Sequence, residues 1–299
     1  MDSARDRYLN SVNLNIGTEF PYLVLDVVND HSSPRNPGFQ VMHWHEDLQF
    51  IYVLHGAIQI QTLDETVPIR AGEAVFINQN VVHGVSRLGD CHYNSFLFPP
   101  YFLEFYPGSP ARAFVEPVTA NEQLALIPIA PSVDWQRELL AGLRQLAELE
   151  TSKTPFYPYE VLVRLSSIWL ILRRNLAIPP KRKESVVSLR MQKVLRYVEE
   201  HYGENLSLEV LAKSADISPS ECLRCFRLSL GTTPYQYLTE FRLSRAAQLL
   251  TSTSDPVGDI AASVGFHQPS HFGKRFKEHT GYSPREYRKR FEHSGQIAI

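Results

Sequence analysis

Residues 259–288 read DIAASVGFHQPSHFGKRFKEHTGYSPREYR, and a related stretch, LAKSADISPSECLRCFRLSLGTTPYQY, precedes them at 211–237. The two copies lie 49 to 50 residues apart, so that Asp216 matches Gly265 and Gly231 matches Gly281. In each copy, apolar residues at helical spacing predict a short helix, a tight turn and a second helix. The repeat therefore predicts two helix-turn-helix units in the C-terminal part of the chain.

The turn residues of both copies suit such a corner. Gly265 adopts left-handed backbone freely, and Asp216 tolerates it. Pro219 and Pro269 each fall at the start of the second helix, where a missing backbone N–H has no cost. Between the copies, residues 234–250 form an amphipathic pattern that predicts a helix about 25 Å long. That length suits two second helices placed in successive major grooves, about 34 Å apart.

Helical spacing also predicts which side chains face outward on the two second helices. Cys222, Cys225 and Phe226 share a packing face in the first copy, and Phe272 and Phe276 do so in the second. The predicted DNA-facing residues are Ser220, Leu223, Arg224, Arg227, Gln268, Ser270, Lys274 and Lys277.

Each of these outward side chains has a chemistry that suits DNA. Arg224 is expected to contact guanine and Leu223 a thymine methyl, while Arg227 suits a phosphate. Gln268 is expected to pair with adenine, and Lys274 with guanine or phosphate. A plain solvated face is the alternative for any one of them. Cys222 and Cys225 form a CxxC, but no second pair completes a zinc site, so we expect core cysteines.

The distribution of charged residues also distinguishes the N-terminal part of the chain from the C-terminal part that holds the repeat. Residues 1–180 hold 12 Lys and Arg against 19 Asp and Glu, a net of −7, and residues 181–299 hold 18 against 13, a net of +5. This asymmetry is expected when only one half meets a polyanion. The segment at 177–185, with its Pro-Pro pair and basic cluster, is typical of a linker.

The N-terminal half shows a strand pattern followed by two helices. Short β-rich runs at 22–28, 49–54, 57–62, 74–77 and 93–98 predict a sandwich or small barrel. After Pro131 the spacing becomes helical, and it predicts a pair of apolar-faced helices within 132–176. Such a pair either covers the β core or associates with a second chain, and we expect dimerisation.

Three histidines mark a candidate ligand site in this half. His43 and His45 flank Trp44 in an expected strand, which directs both imidazoles to one face. Gln49 follows His45 at the start of the next β-rich run, and His83 lies one hairpin beyond that run. Neutral imidazoles and an amide both donate and accept hydrogen bonds, which suits a hydroxyl-rich ligand such as a sugar.

Two family resemblances follow from these motifs. Residues 208–288 resemble the double helix-turn-helix domain of AraC/XylS-type transcription regulators, with Glu221 where an aromatic residue is common and Asp216 where Gly is common. A second group of residues resembles the two sequence blocks of cupin barrels, and it comprises Gly38, His43, His45, Gly56, Gly72 and His83.

The resemblances imply DNA binding through both recognition helices and, as in sugar-responsive members of the family, a sugar effector. Many cupins hold a metal with two His, a Glu and a final His. Here Gln49 stands at the position of the Glu, and Asn78 and Asn80 replace the usual Pro and Gly of the second block. We therefore expect no metal and no cofactor.

Composition fits this interpretation. With 299 residues, 43% of them hydrophobic, the chain has the size of about two globular domains, and no apolar run reaches the length of a membrane span. The charged start MDSARDRYLN does not resemble a signal peptide, and three cysteines do not make a disulfide framework. We expect a cytoplasmic protein.

The expected fold is α+β with two domains. A cupin-like ligand-binding β-barrel spans 1–131, a dimerising helical pair 132–176, a linker 177–185 and an all-α double helix-turn-helix domain 186–299. The expected function is that of a sequence-specific activator of transcription, and not an enzyme. Its partners are double-stranded promoter DNA, a small effector, a second copy of the chain and RNA polymerase. The alternatives are a cupin-type metal-dependent oxygenase or isomerase fused to an accessory domain, and an architectural DNA binder without ligand.

Overall fold

The computed structural model describes Asn15 and residues 18–36, 42–180 and 186–291. Contacts divide the chain into two compact units. The first contains a β-sheet and the helices up to residue 175, and the second contains the helices from residue 186 onward. Gly38, the end of the predicted linker at 181–185 and the last eight residues of the predicted DNA-binding domain lie outside the described residues.

The strands of the first unit form one sheet. Their bounds are β1 Leu23–Val28, β2 His31–Ser33, β3 Leu48–Thr62, β4 Thr66–Arg70, β5 Ala74–Ile77, β6 His83–Phe98 and β7 Leu126–Ile129. The order in the sheet is β2-β1-β6-β3-β5-β7, with β4 paired to β3. The β1–β6, β3–β5 and β5–β7 pairs are antiparallel. Since β3 and β6 are neighbours, residues far apart in sequence meet at the centre of the sheet.

Gly56 continues a strand that the sequence pattern divides. The runs at 49–54 and 57–62 belong to the single strand β3, because Gly56 takes a φ of 71° without ending the pairing. A Cβ at this position would lie 1.9 Å from the backbone carbonyl oxygen of Asp90. Only glycine fits here, so this residue permits the close approach of two backbone segments.

The expectation that His43, Trp44 and His45 lie in a strand is wrong. His43 makes a single bridge, and residues 44 and 45 have no strand structure. Nδ1 of His45 instead lies 2.9 Å from the carbonyl oxygen of Asp47, two residues on. A local bond of this kind between side chain and backbone replaces the regular pairing of a strand.

The described part of the first unit also contains a 3-10 helix at Glu122–Leu124 and four α-helices: α1 Tyr101–Glu104, α2 Arg112–Thr119, α3 Asp134–Ser152 and α4 Tyr157–Asn175. The sequence pattern predicted α3 and α4 but not the short helices. Gly142 of α3 lies against Ile168 of α4, so close that a Cβ would be 2.7 Å from the isoleucine side chain. The inner faces of both helices share one core with the sheet, where the ring of Trp169 packs on that of Phe76.

The second unit also includes residues 34–43 and 62–64, and between residues 186 and 291 all its regular elements are helices. Its helices are α5 Val186–His201, α6 Leu208–Ser214, α7 Pro219–Leu230, α8 Pro234–Ser252, α9 Val257–Ser263, α10 Pro269–Thr280 and α11 Pro284–Phe291. The pairs α6–α7 and α9–α10 are the two predicted helix-turn-helix units, and α8 is the helix predicted between them. The expected fold class is confirmed. The predicted domain borders stay a prediction.

Both turns have the predicted left-handed residue, at a φ of 57° for Asp216 and 85° for Gly265. Pro219 and Pro269 begin α7 and α10, and Gly231 and Gly281 end these helices at positive φ. Similar residue types at matching positions of the two copies therefore give the same backbone conformation at the turns and helix ends. None of the helices within the described ranges is long and apolar enough to cross a lipid bilayer.

Candidate DNA interface and ligand site

The inward faces of α7 and α10 are packed as predicted. Cys222, Cys225 and Phe226 are buried in α7, as are Phe272 and Phe276 in α10. Burial raises the pKa of both thiols, that of Cys222 to about 11, so neither is a reactive thiolate at neutral pH. The CxxC is part of the helix core.

The opposite faces are open to solvent. Leu223 is half-buried, and the other seven predicted DNA-facing side chains are exposed, namely Ser220, Arg224, Arg227, Gln268, Ser270, Lys274 and Lys277. On α10 these side chains flank Gly273, where a Cβ would meet nothing within 4 Å. Each recognition helix thus presents polar and basic groups on the side away from its core. Contact between these residues and DNA stays a prediction.

The predicted guanine-binding residue Arg224 has an ion-pair partner that the sequence interpretation missed. Its Nε donates to Oε2 of Glu221 at 2.8 Å, and its Nη2 donates to Oε1 at 2.7 Å. Nη1 of Arg190, on α5, donates to the same Oε1 at 2.7 Å. The hydrogen bonds from Arg224, together with the positive charges of Arg224 and Arg190, lower the pKa of Glu221 to about 2, so its carboxylate is charged at neutral pH. The spacing of three residues between Glu221 and Arg224 is the signal that finds this pair.

The second recognition helix has an ion pair in a different place. Nη1 of Arg275 lies 3.3 Å from Oε2 of Glu278, and both side chains are half exposed. Arg275 is not among the predicted DNA-facing residues. Lys274 and Lys277, which are, lie exposed on α10. The two helices therefore present their cationic groups differently.

The predicted ligand residues His45, Gln49 and His83 of the first unit are buried and come together, and His43, which belongs to the second unit, is buried as well. Ring nitrogens of His45 and His83 lie within 4.8 Å of each other. The rings of His45 and His83 meet edge to face, with their centroids 5.1 Å apart. Gln49 reaches His45, and its amide also bonds the hydroxyl of Ser95, at 2.7 Å.

Ser95 was missed by the sequence interpretation. It lies 46 residues from Gln49, and their contact depends on β3 and β6 being neighbours in the sheet. No spacing in the sequence reports that arrangement. Both faces of β6 are buried around this residue, so a period of two does not single it out.

The hydrogen bonds fix the state of both imidazoles. The carbonyl of Asp47 only accepts, so Nδ1 of His45 carries its hydrogen, and the carbonyl of Val81 fixes His83 Nδ1 in the same way at 2.8 Å. Burial lowers the pKa of His45, so its ring is neutral and Nε2 has a lone pair. That Nε2 lies 3.2 Å from Oε1 of Gln49, while the amide nitrogen of Gln49 donates to the hydroxyl of Ser95. A rotation of the amide by 180° would let it donate to the lone pair of His45 and accept from Ser95.

These residues differ from the ligand set with which cupins commonly hold a metal. Nδ1 of His45 and Nδ1 of His83 each donate to a backbone carbonyl oxygen, so only Nε2 of each ring could reach a cation. The position that supplies a carboxylate in such sites holds the neutral amide of Gln49. The cluster is instead a set of buried donors and acceptors suited to a neutral polar ligand.

Comparison with known proteins agrees with this division of the chain. Residues 211–290 match the helix-turn-helix domain family, and residues 34–95 match the cupin domain family. The HTH-type transcriptional regulator YdeC of Bacillus subtilis (strain 168) is 28% identical over 258 residues, which cover 84% of this chain and 87% of that protein.

Two further relatives each match about a third of the chain. The lactose operon transcription activator of Staphylococcus xylosus is 35% identical over 106 residues, covering 36% of this chain and 38% of that protein. A crystal structure of an AraC-type transcriptional regulator from Chromobacterium violaceum is 31% identical, with a TM-score of 0.34, over 36% of this chain and 95% of that chain. With two helix-turn-helix units and a cupin domain, the chain belongs to the AraC/XylS family of transcription regulators.

Proposed function

We propose that this regulator activates transcription by placing α7 and α10 in two successive major grooves of promoter DNA, under the control of a small molecule bound by the cupin unit. The observation that carries the proposal is the repeated outward face of the two recognition helices. The α8 helix, which joins the two helix-turn-helix units, has 19 residues and spans about 28 Å. This length is close to the distance of about 34 Å between successive major grooves. Activation would also require contact with RNA polymerase, which transcription in vitro from a selected promoter tests.

Selection of binding sites from random-sequence duplexes tests the DNA proposal directly. A sequence-specific reader returns a motif with two parts about one helical turn apart. Binding to the selected duplex should weaken steeply with salt, since Arg227 and Lys277 suit phosphates. Recovery of no motif would contradict specific recognition and favour an architectural binder.

The proposed effector is a sugar or sugar derivative bound beside His43, His45, Gln49 and His83. The cluster offers neutral donors and acceptors inside an apolar sheet, a combination that suits hydroxyl groups. A relative named for the lactose operon supports the choice of sugars as the first compounds to test.

Thermal shift of the full chain against a panel of sugars and sugar acids tests the effector. A compound that stabilises the wild type should lose its effect in His83→Ala. The matched control is His55→Ala, at an exposed position of β3, which should keep the full shift. Absence of any shift across the panel would contradict the sugar proposal while leaving the DNA proposal untouched.

The proposed dimer forms through the outer face of α4. Large apolar side chains are exposed there at helical spacing, with Tyr159 at 73%, Val163 at 50% and Leu170 at 49%. A row of this kind is typical of an interaction surface. In sedimentation experiments, a Val163→Glu, Leu170→Glu variant should become monomeric. Gln145→Glu, on the exposed side of α3, should not. A monomeric wild type would contradict the proposed dimer.

A further inference from the structure

We propose that Glu221 is a positioning residue, which holds the guanidinium of Arg224 ready to pair with guanine and so sets how strictly α7 discriminates one base pair. This inference rests on the proposed function, in which Arg224 contacts a base. It concerns a residue that departs from the family pattern, where an aromatic side chain is common.

The geometry of the pair determines which edge of Arg224 remains available. A guanidinium has five N–H groups, and Glu221 takes the one on Nε and one on Nη2. The two N–H groups of Nη1 and the second one of Nη2 remain, and they lie at the far end of the side chain. This end presents two parallel donors, the arrangement that matches O6 and N7 of guanine.

Arg190 keeps the carboxylate of Glu221 in place. Its Nη1 donates to Oε1 from α5, and the side chain of Glu221 is only 24% exposed although it lies on the solvent side of α7. The backbone N–H of Glu221 donates to the capping hydroxyl of Ser218, at 3.2 Å, so this residue is fixed at both its backbone and its side chain. Arg224, 54% exposed, therefore has its long side chain ordered before DNA arrives.

A carboxylate beside DNA also weakens DNA binding, and this effect distinguishes a positioning role of Glu221 from a merely structural one. Its charge repels phosphates, so it weakens binding to every sequence. Removal of the charge should tighten binding to random DNA while it relaxes the choice of base. Loss of a merely structural residue would weaken binding to all duplexes together.

The test uses the full chain and a consensus duplex selected from a random-sequence library, together with three duplexes substituted at each guanine of the consensus. Arg224→Ala identifies the guanine that Arg224 contacts. Glu221→Gln should lower discrimination at that position by about tenfold, within the range of a single bidentate contact, and should tighten binding to a random duplex. In the Arg224→Ala background it should leave base preference unchanged. Arg190→Gln should relax the same position to a smaller extent.

The matched control is Glu278→Gln, which removes the same charge from the Arg275 pair on α10 and should leave discrimination at that guanine unchanged. If Arg224→Ala alters no base preference, the proposed contact of Arg224 is wrong and the role of Glu221 falls with it. If Arg224→Ala relaxes one position and Glu221→Gln does not, only the positioning role is overturned. Parallel weakening on all duplexes by Glu221→Gln would also overturn it.

Discussion

Replacing Gly265 with alanine tests the turn of the second helix-turn-helix unit. This residue has a φ of 85°, a conformation that side chains with a Cβ adopt at a cost. A Cβ here would also lie 2.7 Å from the guanidinium of Arg242. That guanidinium donates to the carbonyl oxygens of Tyr202 and Glu204, at 2.7 and 2.6 Å, so it cannot move aside without losing hydrogen bonds.

The size of the effect follows from these two contributions. Left-handed backbone costs an L-residue about 1–2 kcal/mol. Loss of one hydrogen bond from the charged, half-buried Arg242 adds about 1.5–3 kcal/mol. We therefore expect Gly265→Ala to lower the free energy of unfolding by about 2.5–5 kcal/mol, a large part of the stability of an ordinary domain.

Two other glycines separate the contributions. Gly281 has a φ of 79° but nothing within 4 Å of a Cβ, so Gly281→Ala should cost only the backbone part, about 1–2 kcal/mol. Gly258 lies in α9 with ordinary helical backbone and open space around it. Gly258→Ala should stabilise the protein by about 0.4–1 kcal/mol.

Urea unfolding followed by two signals measures these values. The three tryptophans, Trp44, Trp135 and Trp169, all lie in the first unit, so their fluorescence reports on that unit. Far-UV circular dichroism reports on both units, and a transition seen only by this signal belongs to the helical unit. If Gly265→Ala and Gly281→Ala lose equal stability, the contact with Arg242 contributes nothing and the reasoning is refuted.

Three further outcomes are expected. Burial lowers the pKa of His45, so below pH about 6.5 the unfolded chain binds more protons than the folded one. The free energy of unfolding of the first unit therefore falls, as the pH is lowered through this range, by at most about 1.4 kcal/mol per pH unit. The urea midpoint by tryptophan fluorescence should lose part of this pH dependence in His45→Gln, and identical profiles would contradict the assignment. Arg227→Gln should reduce the slope of log affinity for DNA against log salt by about 1, and an unchanged slope would exclude a phosphate contact. Gln49→Glu restores the carboxylate of a cupin metal site and should retain zinc after dialysis, whereas equal metal content in variant and wild type would show that Gln49 is not what disfavours the cation.

Local patterns predicted the helical unit well because its geometry is local. Left-handed turns, prolines at helix starts and apolar spacing each depend on residues within one or two helical turns, and the repeat supplied each of them twice. The sheet was harder to predict. The continuation of β3 through Gly56 depends on the carbonyl of Asp90, and the contact of Gln49 with Ser95 depends on strand order. Such contacts are formed by the tertiary fold, and sequence spacing does not report them.

The ion pair on α7 has a consequence for the shape of the DNA target. An arginine held in one orientation accepts few arrangements of base edges, whereas exposed lysines such as Lys274 and Lys277 adapt to many. The information in an operator for this regulator should therefore be distributed unevenly. The half read by α7 should tolerate few substitutions, and the half under α10 should vary from promoter to promoter while still adding affinity. We therefore expect promoters to differ in affinity for the regulator through the half-site under α10, while the half-site under α7 keeps the same sequence.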